Sequence, residues 1–137
     1  MTALAADRNT PYRESEMFAL GVATNIKIYG GAIVMLNASG YATKGAAATG
    51  QVCAGRAEDM VDNTGGADAA KTVNVRSGTF KFANSASGDL ITIAEIGDNC
   101  YIVDDQTVAK TDGTGARSVA GKIVAVDSDG VWVRMGL

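Results

Sequence analysis

Histidine does not occur in this 137-residue sequence. Its absence excludes every His-based triad, His general base and imidazole metal ligand. Cysteine occurs twice, at Cys53 and Cys100, with no Cys-x-x-Cys pair and no zinc spacing. Each sits in an apolar, strand-like stretch, so both read as buried thiols acting as small hydrophobes. A disulfide between them would need the two strands to be neighbours. Aromatic residues make up only 6%, so a core must rest on Val, Ile and Leu with a few rings. No apolar run approaches the roughly 20 residues of a membrane span. Met1–Ala6 has neither the basic start nor the apolar length of a secretory leader. The expectation is a protein made and kept soluble in the cytoplasm, with no membrane partner. The twelve Lys and Arg stand singly, and the net charge is −3. An acidic balance without a basic run argues against a nucleic-acid partner, whose phosphates need a positive face.

At this length the chain makes one ordinary domain, large enough to bury a core without staples. Residues 1–16 stand apart from the rest. They hold the only proline, Pro11, and several charges, with no apolar period. They read as an extended N-terminal arm, ordered only by what it touches. Residues 17–137 read as a β domain.

Within that domain short apolar runs alternate with turn signals. Met17–Val22 predicts a first strand. Lys27–Tyr29, the pair Gly30-Gly31 and Ala32–Leu36 predict strand, bend and strand. Asn37–Gly40 then predicts a turn into a hairpin partner at Tyr41–Thr43. Lys44–Gly50 reads as a loop of small residues, and Gln51–Val61 as a strand. Asp62-Asn-Thr-Gly-Gly66 is the strongest turn signal. Thr72–Arg76 and Thr79–Ala83 alternate with period two, which puts Phe80 and Phe82 on one face and Thr79 and Lys81 on the other. Leu90–Ile96 is ambiguous. Its β-branched content favours a strand, while Leu90, Ile93 and Ile96 at i, i+3, i+6 suit a helical turn. Cys100–Val103, Thr107–Ala109, Ser118–Val126 and Val131–Met135 complete the set, with hairpin turns expected at Asp112–Gly115 and Asp127–Gly130. Roughly eight to ten short strands predict a mainly β fold, an antiparallel β-sandwich or barrel.

No group stands out as catalytic, cofactor-binding or metal-binding. Glu58 and Asp59, read as strand neighbours, would point to opposite faces and could not act as a pair. Asp104 and Asp105 open a turn, where such side chains cap the backbone. Asp127-Ser-Asp-Gly130 lacks the later acidic positions of a calcium loop. Asp112-Gly-Thr-Gly115 lacks the Gly-Lys-Ser/Thr and the following helix of a phosphate cradle. Trp132 faces away from Val131 and Val133 and shares its side of the strand with Arg134. It reads equally as a core residue and as an interface aromatic.

Five segments, taken in order, are similar to one family. They are Ala6-Asp-Arg-Asn-Thr-Pro11, Val61-Asp-Asn-Thr-Gly-Gly66, Val75-Arg-Ser-Gly-Thr-Phe80, Cys100-Tyr-Ile-Val-Asp-Asp-Gln-Thr-Val-Ala109, and the closing Gly121-Lys-Ile-Val124 with Gly130-Val-Trp-Val-Arg134. Together they resemble the capsid cement, or head decoration, proteins of Mu-like and related tailed bacteriophages. The resemblance covers nearly the whole chain and rests on order and spacing. It implies a structural virion protein, not an enzyme. Such a protein sits on the outer surface of the capsid, binds the major capsid protein lattice and stabilises the shell, commonly as a homotrimer. It implies no cofactor and no small-molecule substrate. The arm residues Asp7, Arg8, Asn9, Thr10, Pro11, Tyr12 and Arg13 would grip the capsid or a neighbour. Phe80, Phe82, Trp132 and Arg134 are candidates for an oligomer interface. The alternative is a carbohydrate- or surface-binding β module of a phage tail structure. It would be favoured if Tyr29, Tyr41, Tyr101 or Trp132 clustered on one exposed face.

Overall fold

The computed structural model describes residues 2–11, 13 and 16–137. Tyr12, one of the expected arm contacts, lies outside the described residues. Strand accounts for 44% and helix for 5%, so the class is mainly β, and the antiparallel sheets form a sandwich that is not closed into a barrel. In chain order the strands are β1 (Met17–Gly21), β2 (Lys27–Ile28), β3 (Ile33–Leu36), β4 (Ala42–Lys44), β5 (Val52–Ala57), β6 (Val61–Asp62), β7 (Thr72–Arg76), β8 (Gly78–Phe82), β9 (Asn99–Ile102), β10 (Val108–Ala109), β11 (Val119–Asp127) and β12 (Gly130–Met135). One five-stranded sheet has the order β1-β7-β5-β3-β4 and the other β10-β9-β11-β12-β8, while β2 and β6 pair as a small ribbon. No helix among the described residues is long and apolar enough to cross a membrane.

The run Ala32–Leu36 is apolar at every position because β3 is buried on both faces, as in strands lying between two packed layers. Ile33 and Met35 point into the core between the sheets, with Phe82, Ile102, Ile123, Val131 and Val133. Val34 joins a second core with Val22, Ile28, Val73 and Val75, against which Leu36 and Val61 also pack. Strands with one buried face show the alternation instead. In β7, Val73 and Val75 are buried while Thr72 and Asn74 are exposed. In β12, Val131, Val133 and Met135 turn inward and Arg134 turns out.

β7 ends where the chain leaves the first sheet, and β8 begins in the second. Two single parallel bridges, Val22–Ala42 and Ala83–Thr107, draw the edges of each sheet toward one another at one end. Ala83 N donates to Gln106 O at 2.9 Å, and Val108 N donates to Ala83 O at 3.0 Å. These contacts cover part of the free edge, which otherwise invites pairing with other chains.

Two local expectations are corrected and one left open is decided. The strand expected over Gln51–Val61 stops at Ala57, and Glu58–Met60 turn into the two-residue β6. Glu58 and Asp59 therefore lie in a turn and not on opposite faces of a strand. Asp112–Gly115 does not make a hairpin, because β9 lies between β10 and β11. There Asp112 O instead accepts from Ala116 N and Arg117 N, closing a wide loop. Leu90–Ile96 is not a strand. It contains the one-turn 3-10 helix Ile93–Glu95, following another at Ser87–Asp89. Thr92 caps that turn: its side chain accepts from Ala94 N at 3.2 Å, and the Glu95 carboxylate accepts from Thr92 N at 2.6 Å. This reciprocal capping satisfies the orphan donors of the turn and overrides the β preference of the isoleucines.

Candidate functional site

β1 pairs with β7 along its whole length, Met17 opposite Arg76 and Gly21 opposite Thr72. The residue before it is thereby held beside the β7–β8 connection, where Ser77 N donates to Glu16 O at 2.8 Å. The Glu16 carboxylate lies 3.7 Å from Arg76, and Arg76 Nε donates to Glu58 at 3.2 Å. Arg56, opposite Arg76 in the β5–β7 pairing, donates to the same Glu58. Its guanidinium also lies over the Phe80 ring, 4.3 Å from the centroid. The hydrogen bond from Arg56, aided by the charges of Arg56 and Arg76, holds the Glu58 carboxyl below its ordinary value. Two arginines side by side repel, and the shared carboxylate offsets that. The result is a charged clamp at the base of the arm.

Residues 2–11 and 13 are all exposed. Asp7, Arg8, Asn9, Thr10, Pro11 and Arg13 make no hydrogen bond or ion pair to the β domain among the described residues; the one backbone bond runs from Thr10 N to Arg8 O at 3.0 Å. Leu4 is 75% exposed. Beside the clamp, where the sheets part, lies an open groove of about 750 Å³. Glu16, Val52, Val119 and Leu137 line it, and Lys122 and Arg134 stand among its polar walls.

The candidate interface residues separate. Phe82 is a core residue, and Phe80 is half-buried, packed against that core beneath Arg56. Trp132 and Arg134 lie on the outer side of β12, across from Lys81 and Thr79 of β8. Trp132 is half-buried. Its Nε1 donates to Asp127 at 2.8 Å, and Lys81 stands over its ring at 5.7 Å while pairing with Asp129 at 3.0 Å. The indole is thus covered by a cation and tied at its edge. Of the four aromatics whose clustering on one exposed face would mark a sugar platform, only Tyr29 is exposed, while Tyr41, Tyr101 and Trp132 are half-buried.

A residue whose role the sequence did not disclose is Asn63, in the turn after β6. It is 2% exposed. Its Nδ2 donates to Val22 O at 3.3 Å, Ala23 O at 3.0 Å and Ala67 O at 3.0 Å. Val22 O and Ala67 O also accept from Ala69 N and Ala70 N, so the carbonyl that depends on this amide is that of Ala23, and a carbonyl left unpaired in a buried place is costly.

Both cysteines are free, Cys100 buried and Cys53 half-buried with its Sγ 3.9 Å from Met135 Sδ. Burial pushes the Cys100 thiol up to about 12, helped by the neighbouring Cys53, and burial pushes Cys53 up to about 11. A raised folded pKa means that the unfolded chain ionises first, near pH 9. The stabilisation by these thiols is therefore fully present below pH 9 and is lost as pH rises through the folded values. Thermal unfolding measured against pH should show a steeper alkaline fall for the natural chain than for Cys100→Ser, whose hydroxyl does not titrate there. Identical alkaline slopes would contradict the assignment.

Among the described residues no group of three or more His, Cys, Asp or Glu is placed to hold a metal ion. Comparison with family models, with curated proteins and with solved structures finds no match for the chain.

Proposed function

We propose that the chain is a structural virion protein that decorates and cements a phage capsid, binding the outer surface of the major capsid protein lattice through its arm. The observation that carries this reading is the contrast at Glu16. On one side lies a sandwich with two packed cores and a clamped edge. On the other lies a segment whose described residues are wholly exposed.

A segment whose described residues before Glu16 make no hydrogen bond or ion pair to the domain is free to order on a partner. Ordering there costs conformational entropy but lets a short stretch cover a wide, shallow surface. Leu4 and Pro11 supply apolar contact, and Asp7, Arg8 and Arg13 supply charge of both signs. The rigid domain fixes where the arm starts. Several copies joined together would add avidity to a weak single contact. On this reading the protein is not an enzyme and needs no cofactor.

The test is co-sedimentation of the purified protein with heads of the phage that encodes it, prepared without this protein. The expected result is saturable binding at a fixed ratio to the major capsid protein. Protein that stays in the supernatant at every concentration would contradict the reading.

A further inference from the structure

We propose that Cys53, Cys100 and Met135 form a binding site for a soft, thiophilic metal ion, copper(I) above all, between the two sheets at the floor of the groove. The sulfur of the domain is gathered in one place. Met35, Cys53, Cys100 and Met135 all belong to the core between the sheets, whereas Met17 and Met60 are exposed and the second core holds no sulfur. Cys53 comes from β5 of the first sheet, and Cys100 and Met135 come from β9 and β12 of the second. β11 lies between β9 and β12. Gly121 of β11 stands opposite Cys100, and Lys122 stands opposite Arg134, so Met135 falls beside Gly121 on its other side. Gly121 has no side chain to separate the two. Cys53 meets them from the first sheet. Its Sγ is 3.9 Å from Met135 Sδ, and it is near enough to Cys100 for its charge to act on that thiol. Met35, opposite Cys53 in the β3–β5 pairing, adds a further thioether to the same core.

The spacing suits a metal. Two sulfurs bound at about 2.3 Å to one ion in trigonal geometry stand roughly 4.0 Å apart, and the Cys53–Met135 pair already stands at 3.9 Å. Thiolate and thioether ligands select copper(I) over harder divalent ions. Among the described residues no further His, Cys, Asp or Glu joins the two thiols, so the set does not complete the four-ligand shell of a structural zinc. Cys53, Gly121 and Met135 line the open groove, so an ion reaches these sulfurs from solvent, while Cys100 is buried behind them. On binding, each cysteine exchanges its S–H bond for an S–metal bond, the thioether shares a lone pair, and two protons leave to solvent. The ion enters as copper(I), so no electron is transferred. The bound site carries one net negative charge, in a groove lined by Lys122, Arg134 and Glu16. The ion ties β5 to β9 and β12, and an ion held only by the folded chain raises its stability. The arm takes no part, so the site is independent of the shell-binding reading.

The test is titration of the reduced full chain with copper(I), without oxygen, against a chromophoric chelator that competes for the ion. The natural chain should take one ion, gain thiolate-to-copper absorption in the near ultraviolet, and melt higher by about 5 °C or more. Met135→Leu keeps the volume of the side chain, so without the ion this variant should melt close to the natural chain. It should nonetheless bind at least about tenfold more weakly, since even outer-shell groups of metal sites are worth that much. Cys53→Ala should lose the tight site, and Met60→Leu, at an exposed methionine, should change nothing. A natural chain that takes no copper(I) from the chelator would overturn the proposal. So would an affinity that Met135→Leu leaves unchanged, or a mass in light scattering that rises with bound copper, which would put the ion between chains.

Discussion

Asn63→Ala is expected to lower stability by about 3 kcal/mol. The substitution leaves Ala23 O without its donor and removes the second donor from Val22 O and Ala67 O, which keep Ala69 N and Ala70 N. These carbonyls belong to the link after β1 and to the loop before β7, so the side chain ties the end of the first strand to the far side of the second core. Solvent does not reach the site freely, since Asn63 is nearly fully buried. The lost bonds are then replaced only by relaxation or by an entering water. For a domain of this size the change corresponds to a fall in melting temperature of roughly 10 °C. Asn63→Asp makes the sharper test. It keeps the shape but puts a carboxylate where three carbonyl oxygens converge, so at neutral pH it should be at least as damaging as Ala. If Asn63→Asp melts close to the natural chain, the donor role is wrong.

Gly121→Ala is expected to cost about 3 kcal/mol as well, by a different route. β11 is irregular here: Val119 lies opposite Tyr101 and Gly121 opposite Cys100, so Ala120 is an extra residue in the strand. The bulge brings the glycine against the neighbouring strand. A Cβ on Gly121 would sit 2.2 Å from Arg134 O and 3.0 Å from Val133 Cγ1. The first of these is backbone, so no side-chain rotation relieves it. β11 and β12 would have to separate in the middle of the sheet that carries most of the inter-sheet core. Gly88→Ala is the matched control, because nothing lies within 4 Å of its added carbon. Chemical denaturation should show a large loss for Gly121→Ala and a change within about 0.5 kcal/mol for Gly88→Ala. Equal effects would contradict the steric account.

Much of this fold was legible in the sequence, and the gaps have physical causes. Period-two alternation placed Val73 and Val75, Phe80 and Phe82, and Val131 and Val133, because each of those strands has one wet face. The apolar run Ala32–Leu36 was legible as a strand, but its burial on both faces, and which core each side chain enters, depend on strands far away in sequence. Leu90–Ile96 stayed ambiguous because three isoleucines favour a strand, whereas a capping box and the buried Ile91 decide for the helical turn. The Asp112 loop misled because turn chemistry looks the same whether the flanking strands pair or let a third come between them. Residues 1–16 carry no apolar period, and the described ones are exposed. The clamp at Glu16 was not legible: Arg56, Glu58 and Arg76 meet only through the pairing of β5 with β7, and no local spacing announces that. Asn63 lay in a segment readable as a turn, yet its role is set by carbonyls some forty residues away.

The reading of the chain as a shell-binding protein is tested most directly by its affinity for heads of its own phage with and without residues 1–16, measured by co-sedimentation. Among the described arm residues only Glu16 makes a hydrogen bond or ion pair to the domain, so the chain starting at Met17 should lose at most a few degrees of melting temperature. Its binding to the heads should weaken by at least about tenfold, equivalent to roughly 1.4 kcal/mol. Equal binding by the two forms would contradict the role given to the arm, and no binding by either would contradict the cement function itself.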